Sequence, residues 1–404
     1  MTQSNQGPLA GVRILDLTSV VLGPLATLTL AELGADVIKI EAPEGDNARN
    51  AGVTKHAGMG HVFLHNNRGK KSVVLDLKHP QGRDALLRLA ANADVLITNV
   101  RAAAMKRLSL DYAALAEVNK RIIYVSASGY DSRGPYADLP AYDELIQGAT
   151  GIPWLMQQYG ATEPSYTPIT LVDRLTAYHV VYAVNGALFA REKTGLGQQV
   201  EVSMFESAAH FILADHMAGR TFEPEQGPVG YDRLLYRRPF RTSDGYLCVL
   251  IYNDRHWREF FRLVGHPEQF EQDPRFSSQQ ARSRNIREVY GWIAGIMPTR
   301  TTTEWQALLD EAGIPHQTVR SLDDLLVDPH LRATGFISEE EHPTEGRMLS
   351  LGMPTTWSGT PPGKTAPAPR LGEHSAEVLR EAGYSDADIE DLDRLGVTRI
   401  ARQP

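Results

Sequence analysis

Cysteine is almost absent from this chain of 404 residues, which contains only Cys248. One thiol cannot form an internal disulfide, and the sequence therefore suits a reducing compartment. Cys248 lies in the strand-like run 245–251, where we favour a buried structural thiol. No apolar stretch approaches the roughly 20 residues that span a bilayer. Residues 1–8 are polar and lack the features of a signal peptide, so we expect a cytoplasmic protein.

Motifs for nucleic acids, metals and phosphates are missing as well. The formal net charge is −8 and no long run of lysine or arginine occurs, which argues against a nucleic-acid-binding protein. The 13 histidines are scattered, without an H-E-x-x-H or paired C-x-x-C pattern, so we expect no bound metal. A P-loop is lacking, and the opening residues contain no G-x-G-x-x-G, which disfavours a nicotinamide-dependent enzyme.

The most informative stretch is a strand–helix–strand pattern at the start of the chain. Residues 12–17 and 37–40 are apolar runs of strand length. Pro24 suits the first turn of a helix between them, and Gly34 is placed to end that helix in a left-handed turn. The pattern predicts a parallel, right-handed crossover. Because open α/β sheets bind ligands at the carboxyl ends of their strands, residues 18–23 form a candidate ligand loop.

The alternation of strands and helices continues to about residue 130 and predicts a parallel sheet with helices on both faces. A long helix is predicted from about Asp173 to Arg191, and the segment 375–395 is also predicted to be helical. We expect a large N-terminal part, a linker, a small mixed unit, and a linker arm that returns to the large domain, at residues 1–219, 220–230, 231–328 and 329–404.

Several motifs resemble those of the family III coenzyme A transferases, the group that includes formyl-CoA:oxalate and carnitine CoA-transferases. Residues 191–198 read R-E-K-T-G-L-G-Q, close to the family's R-x-K-T-G-x-G-Q, and residues 72–78 resemble its S-hydrophobic-x-L-D-L-K. The resemblance covers nearly the whole chain. It implies an α/β fold: a Rossmann-like large domain with a parallel sheet, built from both chain ends, and an inserted small α+β domain. It also implies an interlocked homodimer and no permanently bound cofactor, with a coenzyme A thioester as substrate.

Asp173 is the residue to which the resemblance gives the chemistry. From the residues alone, a helix N-cap is the simplest interpretation, since aspartate there accepts bonds from free backbone N–H groups. The resemblance implies instead that Asp173 is the nucleophile of the reaction. The two roles are compatible because a helix N-terminus favours the carboxylate form, and a carboxylate can attack a thioester.

Further positions match family residues that contact coenzyme A. Lys78 and Arg107 are the implied phosphate partners, although a solvated surface charge is the simpler interpretation of each. For Met204, which the resemblance puts beside the thioester, the simpler interpretation is core packing. The implied substrate- and CoA-binding residues are Val20, Val21, Leu22, Leu75, Lys78, Asn99, Val100, Arg101, Arg107, Tyr142, Asp143 and Met204.

Tyr142 separates two activities of the wider superfamily. The related α-methylacyl-CoA racemases carry a histidine at this place, where it forms half of an acid–base pair. A phenol is a poor base at neutral pH, so tyrosine favours a transferase. We therefore expect CoA to move from an acyl-CoA, for which succinyl-CoA is a common donor in the family, to a small carboxylic acid. The alternatives are a 2-methylacyl-CoA racemase and a non-catalytic CoA-binding protein.

The acceptor acid is left open by the sequence. Formyl-CoA:oxalate transferases carry four consecutive glycines in a loop over the active site, and residues 227–251 contain no such run, which disfavours oxalate. Arg237 or Arg238 can pair with a substrate carboxylate, with a surface arginine as the simpler interpretation. The expected partners are the acyl-CoA and acid substrates and a second copy of the chain, with neither nucleic acid nor membrane.

Overall fold

The computed structural model describes residues 6–401, apart from the side chain of Arg233. Residues 1–5 and 402–404, which the sequence analysis assigns to the ends of the large domain, lie outside the described residues. The chain forms two compact units. The first contains the described residues up to Pro153, Ser165–Ile212 and those from His330 onward; the second contains Trp154–Pro164 and Leu213–Pro329. The second unit thus begins before residue 231 and includes an upstream segment that the sequence did not separate.

Eleven strands and nineteen α-helices make up the described part of the chain. The strands are β1 (Arg13–Leu17), β2 (Asp36–Glu41), β3 (Lys70–Val74), β4 (Val95–Thr98), β5 (Ile123–Ser128), β6 (Gln199–Ser203), β7 (Phe240–Arg241), β8 (Tyr246–Val249), β9 (His316–Thr318), β10 (Ile337–His342) and β11 (Gly346–Leu351). The helices are α1 (Leu22–Glu32), α2 (His61–Asn66), α3 (Pro80–Ala90), α4 (Ala102–Arg107), α5 (Tyr112–Val118), α6 (Asp143–Ala149), α7 (Ile152–Tyr159), α8 (Leu171–Thr194), α9 (Met204–His216), α10 (Asp232–Tyr236), α11 (Asp254–Leu263), α12 (Gln269–Gln272), α13 (Gln279–Arg284), α14 (Ile286–Ile296), α15 (Thr302–Ala312), α16 (Leu322–Leu326), α17 (Pro329–Ala333), α18 (Ser375–Glu381) and α19 (Asp386–Arg394).

A six-stranded parallel sheet organises the first unit and confirms the predicted α/β class. Its order is β3-β2-β1-β4-β5-β6, so the direction of winding reverses between β1 and β4. In doubly wound folds such a reversal opens a crevice outside the carboxyl ends of the two strands. The sheet therefore directs attention to the loops that follow β1 and β4.

Helix α1 begins and ends as the sequence predicts. Pro24 lies in its first turn, and Gly34 follows it with a φ of 101°. Gly23 fits a second constraint, because a Cβ there would lie 2.2 Å from the Cβ of Thr18. Only glycine allows the helix to start this close to the end of β1.

The C-terminal part of the chain completes the first unit with helices. Val378, Leu379, Ile389 and Leu392 of α18 and α19 pack in the same buried cluster as the strands. The sequence predicts one helix over 375–395, but Gly383, at a φ of 87°, separates two. The hairpin of β10 and β11 is a further difference, since the sequence treats this region as part of a linker arm.

An antiparallel sheet of three strands, β7-β8-β9, forms the second unit together with α10 to α16. An aromatic core holds this unit together, and the indole N–H of Trp305 donates to the carbonyl of Met297 over 2.7 Å. The predicted helix at 283–296 is two helices, α13 and α14. Cys248 lies on β8 and is half-buried, so the expectation of a buried thiol is met only in part.

None of the helices within residues 6–401 combines the length and the apolar character required to cross a membrane.

Candidate active site

The loop after β1 is fixed to its surroundings by three polar side chains. The amide of Asn99, which follows β4, accepts from the Ser19 N–H at 3.1 Å and donates to the Ser19 carbonyl at 2.9 Å. The Lys39 ammonium donates to the Thr18 carbonyl at 2.8 Å. Asp46 accepts from the Val20 N–H at 3.0 Å. The crevice between β1 and β4 is thus lined by a loop of defined conformation.

Buried charges lie directly beneath this loop. The carboxylate of Asp16 on β1 accepts from Thr18 and Thr27 and pairs with Lys70 at 3.1 Å. Burial opposes the charge of Asp16, but the ammonium groups of Lys70 and Lys39 hold its pKa at about 2. Lys39 also pairs with Asp46 at 2.9 Å, and both side chains are buried. Each of these charges lies within bonding distance of an opposite charge. Thr18 connects the two pairs, because it donates to Asp16 and accepts from Lys39.

Asp173 lies in the first turn of α8, at its third residue. The helix begins at Leu171 with Thr170 as the N-cap, so the interpretation of Asp173 as the cap is wrong. The capping contact comes instead from Asp143, whose carboxylate accepts the N–H of Asp173 at 2.9 Å. The carboxylate of Asp173 itself accepts no hydrogen bond from the described residues. It is therefore free to react.

Asp143 owes its position to the residues around it. Its side chain is 5% exposed, at the first residue of α6. The Gln147 side chain donates to its other oxygen at 2.5 Å, one turn along the helix. Gln147 in turn accepts from the N–H and the hydroxyl of Thr167, both at 3.0 Å. These hydrogen bonds hold the Asp143 carboxylate against the backbone N–H of Asp173.

The pKa of Asp173 is raised to about 7. Burial is the main cause, and the negative charges of Asp143 and Glu144 add to it, whereas Arg174 opposes the shift. The helix N-terminus, which we expected to favour the carboxylate form, is opposed here by burial and by like charge, and these raise the pKa of Asp173. About half of the Asp173 carboxyls are then ionised near neutral pH.

The remaining predicted residues are spread along the carboxyl edge of the sheet. Leu75 follows β3 and is buried, while Lys78 beyond it is exposed. Arg101 and Arg107 lie at the two ends of α4, after β4, and both are exposed. Val100 is exposed beside them. Met204 follows β6 and is buried.

Two groupings of predicted residues are brought into contact by the fold. The loop of Val20 is joined to Asn99, and Asp143 is joined to Asp173. Val21 and Leu22 are buried, so their side chains face the protein interior, whereas Val20 is 44% exposed. Tyr142 is 68% exposed, at the N-cap of α6. Since Val20 and Tyr142 are exposed, a ligand can reach both the loop after β1 and the start of α6.

Sequence reasoning missed the charged residues that support the β1 loop. Asp16 lies between Leu15 and Leu17, and Lys39 lies between Ile38 and Ile40. A charge inside a buried apolar strand requires a partner, and this is the signal that could have identified both residues. Within residues 6–401, no group of three or more His, Cys, Asp or Glu side chains is arranged to hold a metal ion.

The arrangement suits covalent catalysis by a carboxylate. Asp173 is half-buried and its carboxylate accepts no hydrogen bond from the described residues, so its ionised form can act as a nucleophile. Since α8 follows β5 in a parallel crossover, its N-terminus lies at the carboxyl edge of the sheet, where the β1 and β4 loops also lie. The candidate nucleophile Asp173 and the loop after β1 therefore lie at the same edge of the sheet.

Curated proteins resemble this chain over nearly its full length. The succinyl-CoA:glutarate CoA-transferase of Homo sapiens is 28% identical, over 98% of this chain and 90% of that protein. A formyl-CoA:oxalate CoA-transferase of Escherichia coli is 31% identical, over 95% of this chain and 97% of that protein. A probable fatty acyl-CoA transferase of Mycobacterium tuberculosis is 32% identical, over 94% and 99%.

Solved structures share the fold. A crystal structure of the Mycobacterium tuberculosis protein has a TM-score of 0.80 at 30% identity, covering 92% of this chain and 99% of that one. A CaiB/BaiF family protein from Brucella suis has a TM-score of 0.79 at 28% identity, covering 93% and 100%. Residues 9–375 match the family described as CoA-transferase family III. The chain therefore belongs to CoA-transferase family III, as its motifs and fold together require.

Proposed function

We propose that this enzyme transfers coenzyme A from an acyl-CoA donor, with succinyl-CoA as the first choice, to a small carboxylic acid, and that Asp173 is the nucleophile. The observation that carries the proposal is the half-buried, unpaired carboxylate of Asp173 with its raised pKa. The reaction class is supported by the names of the relatives, one of which is a succinyl-CoA:glutarate CoA-transferase. The steps require no bound cofactor, since the CoA thioester is itself a substrate.

Four acyl transfers describe the reaction. The Asp173 carboxylate attacks the thioester carbonyl and the C–S bond breaks. This step forms a mixed anhydride between Asp173 and the donor acid and releases CoA thiolate. The thiolate attacks the aspartyl carbonyl, the C–O bond breaks, and the donor acid departs from an aspartyl-CoA thioester. The acceptor carboxylate then displaces the thiolate to form a second anhydride. Attack of the thiolate on the acceptor carbonyl releases the new acyl-CoA and restores Asp173.

The carboxyl edge supports binding of an extended CoA chain. Leu75 and Met204 lie at the ends of the two outermost strands, about 24 Å apart at the usual spacing of strands. Arg101, Arg107 and Lys78 supply exposed positive charge along this edge, which suits phosphate groups. We propose that the three basic residues contact the phosphates of CoA and that the Val20 loop lies along the ligand.

Mass spectrometry in D₂O tests the proposed reaction. The protein receives succinyl-CoA, acetyl-CoA or a 2-methylacyl-CoA, each with a set of small carboxylic acids that includes glutarate and oxalate. New acyl-CoA species that disappear in Asp173→Ala are the expected result. Deuterium at the 2-position without a new thioester would indicate a racemase, and binding of CoA without either change would indicate a non-catalytic protein.

The pH dependence of transfer follows from the raised pKa of Asp173. Because only the carboxylate attacks, kcat/KM should rise with pH and level off above about 7. Asp143→Asn removes a like charge, which lowers the pKa of Asp173 and moves the acid limb down by roughly half to one pH unit. The measurement is kcat/KM from pH 5 to 9. The control is Glu390→Gln, an exposed carboxylate on α19, and a limb that stays fixed in Asp143→Asn would contradict the electrostatic explanation.

We also propose that the enzyme works as a dimer. Tyr178, Tyr182 and Phe189 of α8 are 54%, 64% and 65% exposed and lie at spacings that place them on one face of the helix. An aromatic face of this kind suits a second copy of the chain. Light scattering should give twice the mass of 44.6 kDa, whereas a monomer at micromolar concentration would refute the dimer. Tyr182→Glu places a charge on that face and should weaken the association.

A further inference from the structure

Val20 adopts a backbone conformation that its side chain disfavours. Its φ is 72°, in the left-handed region, and it is the only β-branched residue with a positive φ in the part of the chain that the structure describes. A branched Cβ makes this conformation costly, and such strain persists only where the surroundings enforce it. The question is which groups enforce it here.

The Lys39–Asp46 pair holds the loop at two backbone groups, the carbonyl of Thr18 and the N–H of Val20 itself. One oxygen of Asp46 accepts the Val20 N–H at 3.0 Å and the Ala48 N–H at 2.9 Å. The other oxygen pairs with the Lys39 ammonium at 2.9 Å, and that ammonium also donates to the Thr18 carbonyl. Removal of Asp46 would free the N–H of Val20, and removal of Lys39 would free the carbonyl of Thr18. The pair therefore acts on conformation as well as on charge.

Stability alone does not explain a buried ion pair at this place. Well-packed apolar side chains are often as stabilising as a buried pair, because desolvation offsets much of the attraction between the charges. The side chains of Lys39 and Asp46 are 0% and 1% exposed, so neither can touch a substrate. What the pair supplies is a fixed direction for the N–H of Val20 and for the exposed side chain that follows from it.

We propose that Lys39 and Asp46 are positioning residues that keep the 18–22 loop in the one conformation that receives acyl-CoA. This inference rests on the proposed function, in which that loop binds the CoA substrate. Without the pair, Val20 relaxes to a negative φ and the loop occupies several conformations. The apparent affinity for CoA then falls in proportion to the fraction of molecules that remain competent.

Asp46→Asn tests the proposal because it keeps the shape of the side chain. Whichever way the amide turns, one of its contacts, with the Val20 N–H or with the Lys39 ammonium, sets a donor against a donor. The expected result is a rise of about tenfold in KM for acyl-CoA and in the Kd of CoA alone by calorimetry. The value of kcat should stay within about twofold, since Asp173 and its neighbours are unchanged.

Val20→Gly shows whether the Lys39–Asp46 pair acts by holding the strained conformation at position 20 or only by stabilising the fold. Glycine adopts a positive φ without strain, so the loop no longer depends on the pair to hold it. In the Val20→Gly background, the effect of Asp46→Asn on KM should therefore fall from about tenfold to about twofold. An equal effect in both backgrounds would overturn the proposal, because it would show that the strain at Val20 is not what the pair maintains.

Glu32→Gln is the matched control. Glu32 pairs with Arg68 at 2.7 Å in another largely buried contact, at the last residue of α1. This variant should lower the melting temperature and leave KM unchanged. If Asp46→Asn does the same, the pair is only structural and the inference fails.

A second variant and the wild-type protein complete the test. If Asp46→Asn fails to fold, Asn99→Ala takes its place. Asn99 is half-buried, and its loss removes two hydrogen bonds to Ser19 in the same loop. Its effect on KM is then compared in the wild-type and Val20→Gly backgrounds. If the wild-type protein neither binds CoA nor forms new thioesters, the proposed function itself fails. If it binds CoA and Asp46→Asn and Asn99→Ala bind it equally well, only the positioning role fails.

Discussion

Asp173→Asn should abolish CoA transfer and, at the same time, stabilise the folded protein above pH 7. The amide cannot attack a thioester, so we expect kcat to fall by about 10⁴-fold or more, as for the loss of other covalent nucleophiles. The substitution also removes a carboxylate that the fold disfavours. Activity and stability should therefore change in opposite directions at one residue.

The sign of the stability change follows from the raised pKa of Asp173. The folded state binds this proton more tightly than the unfolded state, so stability is fully present below the ordinary value of 3.8 and is lost as the pH rises through about 7. A shift of about three pKa units corresponds to at most about 4 kcal/mol. Because Asp173 is only half-buried, we expect Asp173→Asn to gain about 2 kcal/mol at pH 8 and almost nothing at pH 4.

Thermal and chemical unfolding at several pH values measure this effect. The control is Glu192→Gln, which neutralises an exposed carboxylate on the same helix and should give no pH-dependent gain. A variant that keeps more than about 1% of the transfer rate would contradict the nucleophile assignment. A variant that is less stable than wild type at pH 8 would contradict the account of the pKa.

Asp16→Ala should destabilise the first unit by about 3 to 5 kcal/mol. The substitution removes acceptors for Thr18 and Thr27 and leaves Lys70 buried without its carboxylate partner. An uncompensated buried charge is among the most damaging changes that one substitution can make. We expect earlier unfolding in urea and faster hydrogen exchange in peptides that cover β1 to β3.

A double variant separates charge from packing in this network. Asp16→Ala combined with Lys70→Met removes both members of the pair and should recover part of the lost stability, because no ammonium remains unpaired there. Asp36→Ala is the control, since that carboxylate pairs with Arg13 near the surface and should cost about 1 kcal/mol or less. A double variant that is as unstable as Asp16→Ala alone would show that packing, and not charge, dominates.

The parallel sheet and most long helices could be predicted from sequence because their apolar periodicity is local. Pro24, Gly34 and the glycines of the 191–198 motif act through backbone geometry that is visible in the sequence itself. The hairpin of β10 and β11 was missed because residues 338–341 read S-E-E-E, which lacks the apolar alternation of a half-buried strand.

The sequence points to the residues of the candidate site but not to the electrostatic interactions among them. Asp173 follows from a resemblance of motifs, but its raised pKa depends on its burial and on Asp143, which lies 30 residues earlier and is brought near by the packing of α6 on α8. The apolar strand around Lys39 signals that this charge needs a partner, but that the partner is Asp46 depends on how the loop after β2 folds back onto the strand. Interactions between distant residues are set by tertiary structure, which periodicity does not report.

The return of the C-terminal helices to the sheet has a consequence for how the protein folds. Thr398 donates to the carbonyl of Val74 at 2.7 Å, and Ser375 accepts from the N–H of the same residue at 3.1 Å, across more than 300 residues of sequence. Closing such a long loop slows folding, because its entropy must be lost before the contacts form. Because α18 and α19 follow the second unit in the sequence, the part of the sheet's apolar face that they cover stays open while the second unit is synthesised. That interval is when the chain is most exposed to aggregation and most dependent on chaperones.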